Sequence, residues 1–163
     1  DKGTEILLNA LPEELTGSLL DMGCGYGVIG VTLGKRYPGL SVVMSDVNER
    51  AVELSRRNAQ RNGVPARVMQ SDGYADVPFQ RMDWIVQNPP IRAGKSVIYA
   101  MFAEGARRLE PSGELWLVIR KQQGAESAIR YLKTLFGRVE AVSKKGGFWV
   151  LRCTQPAERP DEE

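Results

Sequence analysis

The stretch Asp21-Met22-Gly23-Cys24-Gly25-Tyr26-Gly27-Val28-Ile29-Gly30 decides the fold of this chain. It follows a short apolar run, Ser18–Met22, that is typical of a buried strand, and it leads into a helical pattern, Tyr26–Tyr37. Glycines at such a strand-to-helix turn let the backbone turn sharply and approach a ligand closely. The stretch therefore predicts an α/β domain with a nucleotide-type cofactor loop, and Gly25-x-Gly27-x-x-Gly30 also satisfies the dinucleotide-binding fingerprint.

Outward from this turn, strand patterns alternate with helical patterns. The further predicted strands are Ser41–Ser45, Ala66–Gln70, Met82–Gln87, Glu114–Ile119, Arg138–Ser143 and Phe148–Cys153. The further predicted helices are Asn48–Asn62, with Asn48 as N-cap, Ser96–Leu109, which Pro111-Ser112-Gly113 should end, and Ala125–Phe136. This alternation predicts a seven-stranded, mostly parallel Rossmann-like sheet with helices on both faces and a C-terminal antiparallel hairpin.

The composition restricts the chemistry. The 163 residues are 42% apolar and 26% charged, as expected for one soluble globular domain, which we assign to residues 1–155. Because there is no histidine, histidine-based acid–base catalysis and histidine metal ligands are excluded. Cys24 and Cys153 are too few for a metal site or a disulfide framework, which favours a cytoplasmic location and predicts no metal.

The charge is unevenly distributed. Pro156–Glu163 holds four of the 20 acidic residues and one of the 22 basic residues, so the remainder carries 16 acidic and 21 basic residues, a net charge of +5. We expect residues 156–163 to form an acidic disordered tail and the rest to be compatible with a polyanionic partner. No apolar run reaches the ~18 residues of a membrane span, and no export signal is visible, although the chain opens with Asp1.

Two aspartates follow predicted strands at the same sheet edge as the glycine loop. Asp46 ends the second strand, 25 residues after Asp21, where a carboxylate can accept hydrogen bonds from both hydroxyls of a ribose. Capping of the next helix is the alternative for Asp46, but Asn48 already fills that position. Asp72-Gly73 follows the third strand, where the carboxylate could accept from an adenine amine or form an Asx turn.

Asn88-Pro89-Pro90 follows the apolar strand that ends at Gln87. Proline fixes the backbone and has no N–H to donate, so the Asn88 amide oxygen and the Pro89 carbonyl are offered as acceptors at the sheet edge. Two such acceptors would orient a planar NH₂ group with its nitrogen lone pair toward a cofactor. A merely rigid loop is the alternative, since Asn-Pro commonly starts turns.

Together these residues resemble the class I S-adenosylmethionine-dependent methyltransferases, from residue 1 to about residue 153. Asp21 matches the leading acidic residue that dinucleotide enzymes usually lack at this place. The resemblance implies that Asn88, Pro89 and Pro90 form the catalytic loop of members that methylate exocyclic nitrogens. It also implies contacts to S-adenosylmethionine from Gly3, Thr4, Asp21, Gly23, Cys24, Gly25, Gly27, Asp46, Val47, Asp72, Gly73 and Asn88.

The opening Asp1-Lys2-Gly3-Thr4, the glycine loop and the stretch Asn88–Lys95 look like the bacterial small-subunit ribosomal RNA guanine-N2 methyltransferases and their stand-alone relatives. That resemblance implies methylation of guanine N2, with ribosomal RNA or an assembly particle as partner. The sequence departs from the family in containing no second, degenerate methyltransferase-like domain. It also departs in having Ile91 where an aromatic residue often stacks on the target base.

Candidate substrate contacts surround the predicted catalytic loop. Ile91 offers an apolar plate, Arg92 and Lys95 could meet phosphates or simply be solvated, and Phe148 lies beside the flexible Gly146-Gly147. The other basic pairs, including Arg120-Lys121 and Lys144-Lys145, are expected to be solvated surface. Other planar NH₂ acceptors (protein glutamine N5, adenine N6), a nicotinamide-dependent oxidoreductase and a non-catalytic RNA-binding module remain alternatives. We expect a monomer or a weak homodimer without a membrane anchor.

Overall fold

In the computed structural model, which describes residues 1–158, seven strands form one sheet. The strands are β1 (Ser18–Met22), β2 (Ser41–Asp46), β3 (Ala66–Gln70), β4 (Met82–Gln87), β5 (Leu109–Arg120), β6 (Phe136–Lys145) and β7 (Phe148–Pro156). Their order is β3-β2-β1-β4-β5-β7-β6; β1 to β5 pair in parallel, and β7 is antiparallel to both β5 and β6. The predicted parallel sheet with a C-terminal hairpin is therefore confirmed.

Helices cover both faces of this sheet, as the alternating pattern predicts. They are α1 (Lys2–Ala10), α2 (Val28–Arg36), α3 (Glu49–Arg61), α4 (Lys95–Arg107) and α5 (Ala125–Leu132), with 3₁₀ turns at Ile91–Ala93 and Lys121–Gln123. Neighbouring residues of a strand point to opposite faces, so Leu19 joins the core under α1, α2 and α3, whereas Leu20 joins the core under α4 and α5. Two apolar cores thus hold the sheet between two helix layers.

Helix α1 was not predicted from the sequence. Its buried side chains, Ile6 and Leu7, pack into the core that Leu19 joins, and Asp1 caps its start by accepting a hydrogen bond from the Thr4 backbone N–H at 2.9 Å. An aspartate three residues before an N–H that it caps is an ordinary helix-start signal. The cap and the apolar residues that follow it were the available signals for this helix.

The predicted boundary between α4 and β5 was wrong. The helix ends at Arg107, and β5 begins at Leu109, so Pro111-Ser112-Gly113 lies inside the strand rather than before it. The strand accommodates these residues through a register shift opposite Met82–Trp84. A Cβ atom at Gly113 would lie only 2.8 Å from the Met82 carbonyl oxygen, so the backbones approach more closely there than a side chain allows.

Other boundaries differ by a few residues. Helix α2 begins at Val28 rather than Tyr26, and α5 ends at Leu132, so Phe136 belongs to β6. Pro156, predicted to start the acidic tail, pairs with Phe136 as the last residue of β7. Residues 159–163, the remainder of the predicted tail, lie outside the described residues. Within residues 1–158, no helix combines the length and apolar character needed to cross a membrane.

Candidate active site

The glycine loop after β1 is fastened to helix α3. The Ser55 hydroxyl donates a hydrogen bond to the Gly25 carbonyl at 2.8 Å, and Asn58 Nδ2 donates to the Tyr26 carbonyl at 2.7 Å. Gly27 adopts a left-handed φ of 93°, and a Cβ atom there would lie 3.1 Å from the Ser55 hydroxyl. Sequence reasoning missed both α3 side chains, although their spacing of three residues places them on one helix face.

Asp21 lies at the inner end of this loop and is buried. Its Oδ2 atom accepts a hydrogen bond from the Gly30 N–H at 3.0 Å, in the first turn of α2. Burial raises the pKa of Asp21 to about 7; the Gly30 N–H lowers it, and the nearby Asp46 carboxylate raises it further. Gly30 permits close packing of α2 on the sheet, since a Cβ atom there would lie 2.5 Å from Met44 Sδ. The carboxyl thus supports the loop from behind.

Asp46 lies at the carboxyl end of β2, facing the same loop. Its Oδ2 atom accepts from the Gly25 N–H and its Oδ1 atom from the Asn48 N–H, both at 2.9 Å. Asn48 caps α3, as predicted, by accepting from the Ala51 N–H at 3.1 Å, so capping does not require Asp46. The next side chain, Val47, is 62% exposed. A carboxylate beside an uncovered apolar residue suits the ribose and the base of a nucleoside.

Asp72 and Gly73 lie at the adjacent end of β3. Asp72 is exposed, and within residues 1–158 its carboxylate accepts no hydrogen bond, so the Asx turn considered for it is not formed. Gly73 adopts a left-handed φ of 56°. Both residues border a cavity of about 470 Å³, whose opposite wall includes Val97 and Met101 of α4. Asp72 therefore faces open space at the edge where Asp46 also lies.

Asn88 is held by the start of α1. Its Nδ2 atom donates to Asp1 Oδ2 at 3.2 Å and to Thr4 Oγ1 at 3.1 Å, so both amide hydrogens are used. Sequence reasoning assigned no role to Asp1, because nothing in the sequence indicates that it contacts a residue 87 positions away. Because both partners of the Asn88 side chain are acceptors, its amide nitrogen points toward α1. Its oxygen, Oδ1, therefore faces away from α1.

The two prolines after Asn88 form a rigid turn. The Pro90 carbonyl accepts from the Ala93 N–H at 2.8 Å, which closes the 3₁₀ turn. Within the described chain, neither Asn88 Oδ1 nor the Pro89 carbonyl oxygen accepts a hydrogen bond. Both acceptors predicted from the sequence are therefore unpaired; Asn88 is half-buried and Pro89 is buried.

The predicted substrate residues lie on both sides of this turn. Ile91 is half-buried against the core under α4 and α5, Arg92 is exposed, and Lys95 Nζ lies 5.4 Å from the centre of the Tyr99 ring. Phe148 lies against α1, where a Cβ atom at Gly3 would be 3.1 Å from its ring. Phe148 thereby lies next to the residues that hold Asn88. The sequence alone does not predict this proximity.

Cys24 does not have the properties of a nucleophile. Its thiol is buried and lies 3.4 Å from the Ser55 hydroxyl, toward α3. Burial, and to a smaller extent the charge of Asp21, raises the pKa of the thiol to about 12. The thiol therefore stays protonated at neutral pH. Within residues 1–158 there is no cluster of three or more side chains suited to hold a metal ion.

The residues at this edge fit S-adenosylmethionine. The backbone at Gly23 and Gly25 is open, since a Cβ atom at either position would meet nothing within 4 Å, and the Asp46 carboxylate and the Val47 side chain border the same loop. An anionic group, an apolar plate and an accessible glycine backbone are complementary to a ribose, an adenine and a cationic amino acid. The fold and this edge define the class: a methyltransferase that uses S-adenosylmethionine.

Comparison with known proteins identifies the family. Residues 1–152 match the model of the methyltransferase small domain, and the chain belongs to that family. It is 46% identical over 156 residues to an uncharacterized Bacillus subtilis protein, YbxB, covering 94% of this chain and 78% of the relative. It is 41% identical over 157 residues to the ribosomal RNA small subunit methyltransferase C of Aeromonas hydrophila, covering 92% of this chain and 44% of the relative.

Solved structures agree with this membership. The chain resembles the 16S rRNA N2 methyltransferase of T. thermophilus, solved with S-adenosylmethionine and guanosine, at a TM-score of 0.84 and 28% identity, covering 95% of this chain and 43% of that one. A Pyrococcus furiosus methyltransferase gives a TM-score of 0.77 at 22% identity, covering 94% and 81%, and so shares the fold. The chain spans less than half the length of the two ribosomal RNA methyltransferases named above.

Proposed function

We propose that this protein transfers a methyl group from S-adenosylmethionine to an exocyclic amino nitrogen, guanine N2 of small-subunit ribosomal RNA. The observation that carries the proposal is the arrangement of Asn88, whose two amide hydrogens are used by Asp1 and Thr4 while its oxygen is free. A planar NH₂ group has two hydrogens to donate, and the free Asn88 Oδ1 and Pro89 carbonyl supply two acceptors.

The chain's residues act mainly by positioning. S-adenosylmethionine supplies an electrophilic methyl group when bound; we propose that the glycine loop, Asp46, Val47 and Asp72 hold it. Asn88 Oδ1 and the Pro89 carbonyl each accept a hydrogen bond from one N–H group of the target, which leaves the nitrogen lone pair free to attack. The nitrogen–carbon bond would form as the carbon–sulfur bond breaks, with S-adenosylhomocysteine as the leaving group. The methylated nitrogen is acidic and would lose its proton to water, so no strong general base is needed, in keeping with a chain that lacks histidine.

Guanine in RNA is the acceptor that the relatives favour. The A. hydrophila relative is named a small-subunit ribosomal RNA methyltransferase, and the T. thermophilus structure contains guanosine. Guanine N2 lies on the Watson–Crick edge, so the nucleotide must be single-stranded or turned out of its stack. Ile91 and Phe148, on either side of Asn88, are the apolar surfaces that we propose for this base. The cytoplasmic location and the monomeric or weakly dimeric state stay predictions.

Nucleoside analysis tests the proposal. The protein is incubated with labelled S-adenosylmethionine and small-subunit ribosomal RNA or assembly particles, and the RNA is digested and examined by mass spectrometry. We expect the label in N2-methylguanosine, and none with the Asn88→Ala variant. Label on a protein glutamine, on adenine N6 or on a free metabolite would refute the RNA guanine substrate while leaving methyl transfer intact. Calorimetric binding of NAD but not of S-adenosylmethionine would favour the oxidoreductase alternative instead.

A further inference from the structure

Four basic residues lie at the sheet edge beside the candidate active site, with side chains on both faces of the sheet. Arg120 is the last residue of β5 and Lys121 follows it, while Lys144 and Lys145 end β6; all four are exposed. We call these four residues the basic rim. Strands β4, β5 and β6 all end at one edge of the sheet, so the basic rim continues the line that begins at Asn88. The Lys121 N–H donates to the Gly147 carbonyl at 2.9 Å and joins the two segments.

Aromatic rings hold two of these cations in place. The Arg120 guanidinium lies 4.6 Å from the centre of the Phe148 ring, and Lys144 Nζ lies 4.0 Å from the centre of the Trp149 ring. Such contacts attract a cation without neutralising its charge. Within residues 1–158 no member of the basic rim pairs with a carboxylate, in contrast to Arg57 with Glu53. The rim therefore presents positive charge that no carboxylate of residues 1–158 compensates, with Arg120 and Lys144 placed by aromatic contacts.

The basic rim is physically connected to Asn88. Phe148, under Arg120, packs against Gly3, and the next residue, Thr4, accepts the hydrogen bond from Asn88 Nδ2. Three strand spacings separate β4 from β6, a distance of about 14 Å. A stacked strand rises about 3.4 Å along its axis for each nucleotide, so an edge of this length spans several phosphates.

We propose that the basic rim binds the phosphates of single-stranded RNA next to the nucleotide held at Asn88. The inference rests on the proposed function and adds to it the path of the RNA across the edge formed by the carboxyl ends of β5 and β6 and the start of β7. Positive side chains that lie on aromatic rings at an open edge suit a flexible strand, because phosphates meet the charges and bases meet apolar surface. The sequence pattern alone favours solvated turns at these positions.

The test compares two triple variants with equal loss of charge. The rim variant removes three charges from the basic rim and is Arg120→Gln/Lys144→Gln/Lys145→Gln. The α2/α3 variant removes three exposed charges at the opposite end of the sheet and is Arg36→Gln/Arg57→Gln/Arg61→Gln. Binding of a fluorescent, short single-stranded RNA with one guanosine is measured by anisotropy over a salt series. Calorimetry with S-adenosylmethionine shows that both variants keep a folded cofactor site.

The salt dependence distinguishes the outcomes. For the rim variant we expect the slope of log affinity against log salt to become shallower by ~0.7 for each lost phosphate contact, or about 2 in all, while the α2/α3 variant keeps the wild-type slope. Equal slopes in the two variants would overturn the proposal, as would equally tight binding of poly-glutamate. If the wild-type protein binds RNA through the basic rim yet labels no guanosine, the proposed function is wrong and the RNA-binding role of the rim is kept. If the wild-type protein labels guanosine and the rim variant keeps the wild-type slope, only the RNA-binding role of the rim is wrong.

Discussion

The carboxylate of Asp46 connects the glycine loop to the start of α3, because one oxygen accepts from the Gly25 N–H and the other from the Asn48 N–H. We expect Asp46→Ala to weaken S-adenosylmethionine binding at least tenfold while the fold survives. Hydrogen bonds to a charged group contribute roughly 1.5–3 kcal/mol each, and the ribose hydroxyls would lose such partners. Isothermal titration calorimetry measures the change in affinity. Asp46→Asn keeps an acceptor without the charge, so its affinity for S-adenosylmethionine should lie between those of the wild type and Asp46→Ala. Unchanged affinity would remove Asp46 from the site.

Asn88 is expected to serve the acceptor nitrogen rather than the cofactor. We predict that Asn88→Ala abolishes turnover yet leaves S-adenosylmethionine affinity within a few fold, since an interaction made in the transition state affects the rate. Asn58 provides a matched control, because its amide supports the glycine loop from α3. Asn58→Ala should weaken cofactor binding and leave turnover at saturating cofactor near the wild-type value. Methylation of RNA by Asn88→Ala at the wild-type rate would contradict the assignment.

At the residue level, the sequence was sufficient for side chains that belong to a local motif. Asp46 and Asn88 could be proposed because each directly follows an apolar strand, and the ends of parallel strands meet at one edge. Asp1, Ser55 and Asn58 could not, because their partners lie 87, 30 and 32 positions away and depend on how helices pack on the sheet.

Helix α1 contributes to the site through Thr4, whose hydroxyl is one of the two acceptors for the Asn88 amide. We predict that Thr4→Val lowers kcat about fivefold with little change in S-adenosylmethionine affinity, because a hydrogen bond of ~1 kcal/mol no longer fixes the amide. Thr4→Ser keeps the hydroxyl and should restore most of the rate. Single-turnover kinetics and calorimetry separate the two quantities. A loss of cofactor affinity at unchanged kcat would instead indicate the cofactor contact that the sequence resemblance implies.

Among the elements of residues 1–158, the sequence predicted every strand and four of the five α-helices, since period-two and helical apolar patterns are local properties. It missed α1 and mistook Pro111-Ser112-Gly113 for a stop. Proline and glycine do usually interrupt a strand, yet here a register shift opposite Met82 accommodates them. Such a shift depends on the neighbouring strand and has no signature in the sequence of β5 itself.

In the whole molecule, parallel strand order is what assembles the site from distant parts of the chain. The ends of β1, β2, β3 and β4 bring the glycine loop, Asp46, Asp72 and Asn88 to one edge, and apolar cores pack on both faces of the sheet. The same order extends the edge to the basic rim through β5, β7 and β6. Cofactor and substrate are thus expected on one continuous surface, with Asn88 between them.

Burying Asp21 beneath the glycine loop couples the stability of the whole fold to pH. Burial raises the pKa of this carboxyl from 3.8 to about 7 in the folded protein, so the folded state holds its proton more tightly than the unfolded chain. Its contribution to stability is therefore fully present below about pH 4 and is lost as the pH rises through about 7. The loss amounts to at most about 4 kcal/mol, since one pKa unit corresponds to ~1.4 kcal/mol.

We predict that Asp21→Asn removes this loss. Asparagine has nearly the same shape and keeps an oxygen for the Gly30 N–H, but it never becomes a buried anion. In urea unfolding, the free energy of unfolding of the variant relative to the wild type should rise between about pH 4 and about pH 7 and stay constant above that range. The exposed Asp76 supplies the control, because Asp76→Asn should keep the wild-type pH dependence. If Asp21→Asn and the wild type lose stability in parallel over this range, Asp21 does not carry the proton that the buried site favours.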